Sequence, residues 1–163
     1  GHHQKHLPKH WIQLLKEKEI NIVRRPSGGN AVLHSGGLTY ALVWKSAPRK
    51  KLEAYFLVNQ WLINCFSNLN FPLQFGEDPT NLNSPNCFGI STEVDLIDAK
   101  GSKRIGSAQY WKIGNLLQHG HILLDPPEEL WVKVFKKNAP KPAPRKIHRE
   151  CIESSLLNSL KTF

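Results

Sequence analysis

A chain of 163 residues is long enough to bury one hydrophobic core. With 40% hydrophobic and 21% charged residues it reads as a folded globular domain, and no apolar run approaches the ~20 residues of a membrane span. The net charge of +9 suits an acidic partner, but no nucleic-acid-binding motif accompanies it, so neither nucleic acid nor membrane is expected.

No charged-then-apolar opening marks a signal peptide, and methionine is absent, so the expectation is a cytoplasmic domain trimmed at its N-terminus. Cys65, Cys87 and Cys151 form neither a paired framework nor a CxxC knuckle, which favours a reducing compartment and leaves room for a reactive thiol. His6 and His10 would share a helical face, but no carboxylate or thiol completes a ligand set and Pro8 interrupts the segment; no metal site is expected.

In chain order, Trp11, Leu14 and Leu15 predict a short helix to about Lys18, followed by a strand over Ile20–Val23. Pro26, Gly28, Gly29 and Asn30 then form a tight loop. Ala31–Leu33 and Leu38–Trp44 read as paired strands around Ser35-Gly36-Gly37. Leu52, Phe56, Asn59, Ile63 and Phe66 trace a helix from about Lys50 to Leu69. Gly76–Pro85 is a polar loop, with Cys87 just beyond it. Glu93–Ile97 and Arg104–Gln109 read as strands turning at Lys100 and Gly101, and Leu116–Leu124 as two short strands or one bent strand, with Gly120 a bulge or a point of close approach. A helix over Glu128–Phe135, a Pro/Lys/Ala linker over Lys136–Arg145 and a helix over Ile147–Leu160 close the chain. Hairpin-like strands with helices between them predict an α+β fold.

Four segments could carry chemistry. In Arg24-Arg25-Pro26-Ser27-Gly28-Gly29-Asn30-Ala31-Val32-Leu33-His34, a glycine pair lets backbone N–H groups approach an anion, and two arginines can fork onto phosphate or carboxylate. It is neither a Walker loop nor a Rossmann fingerprint, and it is equally readable as a glycine-rich hairpin with exposed arginines. In Lys103-Arg104-Ile105-Gly106-Ser107-Ala108-Gln109, the small residues mark a strand with something packed closely on it, and the lysine could hold an acyl oxygen. In Gln118-His119-Gly120-His121, strand alternation puts both histidines on one side. Cys87, beside a polar loop, is a better nucleophile candidate than the helical Cys65 and Cys151.

Together and in this order, the segments resemble the biotin/lipoate protein ligase and octanoyltransferase family. Arg24–His34 is similar to its Arg-Arg-x-Ser/Thr-Gly-Gly-x-Ala-Val-x-His signature, Lys103–Gln109 to Lys-x-x-Gly-Ser-Ala-Gln, and Gln118–Leu124 to Gln-His-Gly-x-Ile-Leu-Leu. Gly1-His2-His3-Gln4 resembles the Gly-x-x-Gln that ends an earlier strand there. Cys87-Phe88 resembles the nucleophile segment of a cysteine-dependent octanoyltransferase branch, although residues 89–92 are not a close copy. The resemblance implies one catalytic domain over residues 1–163, class II synthetase-like, lacking N-terminal elements. Its mixed, mostly antiparallel central sheet would be flanked by helices. It implies an acyl or nucleotide site built from Arg24, Arg25, Ser27, Gly28, Gly29, Ala31, His34, Gly106, Ser107, Ala108 and His119, with Cys87 and Lys103 catalytic.

Two branches of the family then compete. Octanoyl transfer through a Cys87 thioester needs no cofactor, whereas lipoate–protein ligation needs ATP and Mg; a non-catalytic acyl-binding module is a third reading. The implied partners are acyl carrier protein and the lipoyl domains of 2-oxoacid dehydrogenases or the glycine cleavage H protein. Their acidity as classes suits the basic chain.

Overall fold

The computed structural model describes residues 1–76, 92–144 and 146–163. Its elements are α1 (Lys9–Lys16), β1 (Gly37–Trp44), α2 (Lys51–Asn68), β2 (Leu73–Phe75), β3 (Leu96–Asp98), β4 (Lys103–Lys112), β5 (Asn115–Leu123), α3 (Glu128–Phe135) and α4 (Arg149–Ser159). The strands form one sheet in the order β1-β5-β4-β3-β2, and all the described pairings are antiparallel. This is the α+β, mostly antiparallel architecture expected from the sequence.

Register divides the residues between two faces, because side chains alternate along each strand. Tyr40, Gly120 and Ser107 share one rung, and Leu38, Ile122 and Ile105 the next rung of that face. This face packs on Val58, Leu62 and Phe66 of α2 and on Ile152 and Leu156 of α4. Leu123 faces the opposite way, against Trp11 and Leu14 of α1 and Trp131, Val134 and Phe135 of α3. The sheet is therefore a central layer with a helix pair on each side.

Four expectations are corrected. Ile20–Val23 forms no strand; Ile20 and Ile22 lean on the α1/α3 core while Val23 is 87% exposed, and the segment pairs with no strand among the described residues. Ala31–Leu33 does not pair with β1, whose partner is β5; a single bridge remains at Ala31. In α2 the buried stripe is Ala54, Val58, Leu62, Cys65 and Phe66, while Leu52 and Phe56 are 47% and 39% exposed. This helix is apolar around much of its circumference, so periodicity predicts a helix but leaves its rotation open. β2 was not anticipated, being only three residues long. The expected Glu93 strand starts later, at Leu96, because the Asp95 carboxylate folds the chain into a turn by accepting the Thr92 N–H (2.8 Å) and hydroxyl (2.9 Å).

Among the described residues no helix is long and apolar enough to cross a membrane, and no three His, Cys, Asp or Glu side chains are grouped to hold a metal ion.

Candidate active site

The Arg24–His34 loop lies over the β5 histidines, on the face that carries α1 and α3. Ser27 is buried, and its hydroxyl meets His119 Nε2 at 2.6 Å. At the loop's other end, His34 Nδ1 is 3.0 Å from Thr39 Oγ1 and 3.4 Å from His121 Nδ1. Two histidines, two residues apart on one strand, thus pin both ends of the loop. Between them Arg25 donates to the Asn30 carbonyl at 2.9 Å, spanning the glycine turn. Gly29 has φ 88°, the left-handed region that glycine enters freely, and a Cβ there would lie 2.9 Å from the Arg25 guanidinium. The Ser27 carbonyl accepts the His2 N–H at 3.0 Å, and Arg24 donates to the carbonyls of Gly1 and Gln4. The Gly1–Gln4 segment and the loop therefore form one unit.

The expectation that Arg24 and Arg25 serve an external phosphate is modified by these bonds. Both guanidiniums hold backbone carbonyls, and Arg24 works as a staple for the first residues. Arg25 sits between two cavities. The larger, about 640 Å³, is walled by Trp11, Ile22, Val32, Leu33, His119 and Val134. The smaller, about 210 Å³, lies between Gly28–Gly29 and Gly106–Gln109, closed by Val32 and by Tyr55 of α2. Ala31 and His34 border the larger cavity; Gly106, Ser107 and Ala108 border the smaller. The sequence candidates other than Lys103 and Cys87 therefore gather on one loop and the strands beneath it.

Close approach is built into β5. A Cβ on Gly120 would stand 2.6 Å from Tyr40 Cε1 and 2.7 Å from the Gly106 carbonyl oxygen. On the α2 face below it a buried polar network runs across three strands. Tyr40 Oη meets Ser107 Oγ at 2.6 Å, and Gln118 Nε2 donates to Tyr40 Oη at 3.1 Å and to Asn59 Oδ1 at 3.3 Å. Gln109 Nε2 donates to Gln118 Oε1 at 2.8 Å, and Asn59 Nδ2 donates to the Val94 carbonyl at 2.6 Å. Buried amides and hydroxyls are tolerated because they satisfy one another.

Lys103 stands at the head of β4 and lines neither cavity. Its ammonium is buried 2.8 Å from the Asp95 carboxylate, with the two side chains only 5% and 6% exposed. The same Asp95 oxygen holds Thr92, so one carboxylate joins the head of β4 to the chain just after residue 91. Cys87 lies outside the described residues.

The electrostatics favour neutral histidines. Burial, then the Arg25 charge, pushes the pKa values of His34 and His119 below the ordinary range, with His34 a further cause at His119. His121 is pushed down to about 4, by burial and then by His34, against a hydrogen bond with the Ser35 backbone. Burial drives the Tyr40 and Tyr55 hydroxyls up to about 12. At neutral pH the three imidazoles are therefore uncharged beside the fixed guanidinium of Arg25.

Alternation put His121 on one side with His119, but the resemblance assigned only His119 to the site; Asp95 and Tyr55 were not among the candidates from sequence. Asp95 and Tyr55 carry no comparable signal, because a single carboxylate before a hairpin and a single tyrosine in a helix match no pattern.

The family model for the lipoyl protein ligase A/B catalytic domain matches residues 1–160. The octanoyltransferase LipM of Geobacillus kaustophilus is 35% identical over an alignment of 137 residues that covers 77% of this chain and 49% of that protein. LipM of Oceanobacillus iheyensis is 32% identical over an alignment of 164 residues that covers 98% of this chain and 60% of that one. The chain thus spans about half the length of the curated relatives it matches. Among solved structures, a T. acidophilum protein with bound lipoic acid superposes with a TM-score of 0.76 at 19% identity, covering 93% of this chain and 61% of that one. A lipoate-protein ligase A bound with ATP gives 0.75 at 20%, covering 93% and 62%. At such identities these two show a shared fold, the class II synthetase-like one expected from the sequence. With the family model across nearly its whole length, the chain belongs to the lipoyl protein ligase A/B catalytic domain family.

Proposed function

We propose that the protein transfers octanoyl, or lipoyl, groups to the lysine of lipoyl domains through a thioester on Cys87, as a cytoplasmic step of lipoate biosynthesis. The observation that carries the reading is the smaller cavity, where Gly28–Gly29 of one motif faces the small residues Gly106, Ser107 and Ala108 of another, with Arg25, Val32, Tyr55 and Gln109 completing its walls. Such a slot exposes backbone N–H groups and admits an extended chain, which gains about 0.8 kcal/mol per CH₂ it buries. Relatives named octanoyltransferase at 32–35% identity support the acyl-transfer branch.

In this mechanism the Cys87 thiolate attacks the carbonyl carbon of an octanoyl thioester and the carrier's thiolate leaves. The lysine amine of the acceptor then attacks the new thioester. An amide forms, Cys87 departs as thiolate, and the amine sheds its proton; His119, neutral at pH 7, is available to accept it. Lys103 and N–H groups near Gly28 and Gly29 stabilise the oxyanion of each step, one such donor typically contributing about 3–4 kcal/mol. Asp95 fixes where the Lys103 ammonium sits. Because the acyl group arrives already activated as a thioester, no nucleotide is consumed.

Mass spectrometry of the full-length protein after incubation with octanoyl acyl carrier protein tests this reading. A stable adduct on Cys87 is the expected result. An acyl-adenylate that forms only with ATP and Mg would establish lipoate ligation instead, and neither product would leave an acyl-binding module.

A further inference from the structure

The arginines of the glycine loop hold internal carbonyls, so the charge that meets a macromolecular partner must be sought elsewhere. Residues 136–149 concentrate it. Six of the chain's 22 Lys and Arg fall in these 14 positions, and none of its 13 Asp and Glu does. Lys136, Lys137, Lys141 and Lys146 are exposed, and none is in an ion pair among the described residues.

The described residues of this segment, all but Arg145, form a strap across the fold. Lys136 ends α3 in the left-handed conformation and turns the chain away from the helix axis. Ala139 then packs on the α1/α3 core, while Ala143 and Ile147 pack on the α2/α4 core. The strap therefore passes from one face of the sheet to the other, around the end where β5 finishes and β4 begins; the Ala143 N–H donates to the Leu124 carbonyl at 2.6 Å. Arg104 locks it there. Arg104 is 2% exposed, and its guanidinium pairs with Asp98 at 2.7 Å and donates to the carbonyls of Lys141 (2.8 Å) and Pro142 (3.2 Å). Burying a guanidinium is costly unless its donors are used. Here two of its bonds serve only to hold strap backbone, and prolines 140, 142 and 144 further restrict that backbone.

We infer that this lysine strap is the docking surface for the acidic acyl carrier protein that delivers the octanoyl group, an inference that rests on the proposed acyl transfer. The strap's distance from the cavity favours the donor over the acceptor. Arg104 precedes Gly106–Gln109 by two to five residues, about 7–17 Å along a strand. A carrier presents its thioester on a long flexible arm and docks at a distance from the reacting carbon. An acceptor lysine is short and brings its domain to the mouth of the slot. A strap backbone held by Arg104 and restricted by prolines also has little backbone freedom to lose on binding.

The test is fluorescence anisotropy of labelled octanoyl acyl carrier protein with the full-length protein. The protein carries Lys136→Glu, Lys137→Glu, Lys141→Glu and Lys146→Glu together, and a second protein carries the four corresponding Lys→Gln changes. A control set reverses Lys45, Lys50, Lys51 and Lys112, which are exposed at the other end of the sheet. The expected results are a Kd raised about tenfold or more by the Glu set and by less in the Gln set, little change in the control, and weakening of wild-type binding by salt. Cys87 acylation by a small octanoyl thioester should stay at the wild-type rate in every folded variant. A Kd changed less than twofold, equal loss in the control set, no carrier binding by the wild type, or loss confined to a lipoyl domain would each overturn the inference. Carrier binding through the strap without any Cys87 thioester would instead leave the docking surface standing and remove the proposed reaction.

Discussion

The two faces of the sheet use the same strands for opposite purposes. Toward α2, Ser107, Gln109 and Gln118 join Tyr40 and Asn59 in a network whose donors and acceptors are matched inside an apolar core. Toward the loop, Gly106, Ala108, His119 and His121 offer small side chains and neutral imidazoles. Alternate residues of a single motif thus divide between holding the strand still and leaving room beside it. The lesson is that a conserved-looking string such as Lys-x-x-Gly-Ser-Ala-Gln is two half-motifs with a period of two, and only one half faces the loop.

The strongest way to break this division is at Lys103, which lies on the network side. Lys103→Ala leaves the Asp95 carboxylate buried without its cation, a change that typically costs about 3–5 kcal/mol. It should also slow acylation by about 10²-fold if the ammonium contacts the oxyanion. Pairing Lys103→Met with Asp95→Leu separates the two effects. Stability measured by urea unfolding should recover in the double variant, while acylation stays slow. Recovery of turnover as well would mean that Lys103 is only structural.

Gly120 is where the two faces meet, and Gly120→Ala should disturb both. The added methyl would meet the Gly106 carbonyl and Tyr40, neither of which yields easily, so a loss of about 1–3 kcal/mol in thermal unfolding is expected. Unchanged stability would show that β4 and β5 have slack.

The loop side is sharpened by pH. His121 titrates near 4 in the folded protein and at its ordinary value near 6.5 when unfolded. Below 6.5 the unfolded chain binds the extra proton, so stability present above that pH is lost as pH falls toward 4. For His121 alone the loss between pH 8 and pH 5 is about 2 kcal/mol. His34 and His119 are shifted in the same direction and add to it. The His121→Gln variant should show a flatter fall in urea-unfolding free energy over that range. An identical slope would place the pH dependence elsewhere.

Much of the architecture could be read before the structure. α3 was anticipated at its observed limits, and α2, β4 and β5 within a few residues, because their apolar patterns and flanking Gly and Pro agree. Ile20–Val23 misled because β-branched residues favour an extended chain whether or not a partner strand exists. The loop and β5 histidines were identified by motif. The destinations of Arg24 and Arg25 were not, since a guanidinium suits a backbone carbonyl as well as a phosphate. Nor was the Asp95–Lys103 pair, which depends on a turn closed by Thr92.

The account stands on a single covalent bond. Full-length protein should be mixed with octanoyl acyl carrier protein, quenched in acid and mapped by peptide mass spectrometry, with Cys87→Ser, Cys65→Ser and Cys151→Ser in parallel. The account predicts one octanoyl group on the Cys87 peptide of the wild type and of the Cys65 and Cys151 variants, and none in Cys87→Ser. Octanoyl transfer to a lipoyl domain at the wild-type rate by Cys87→Ser would contradict it.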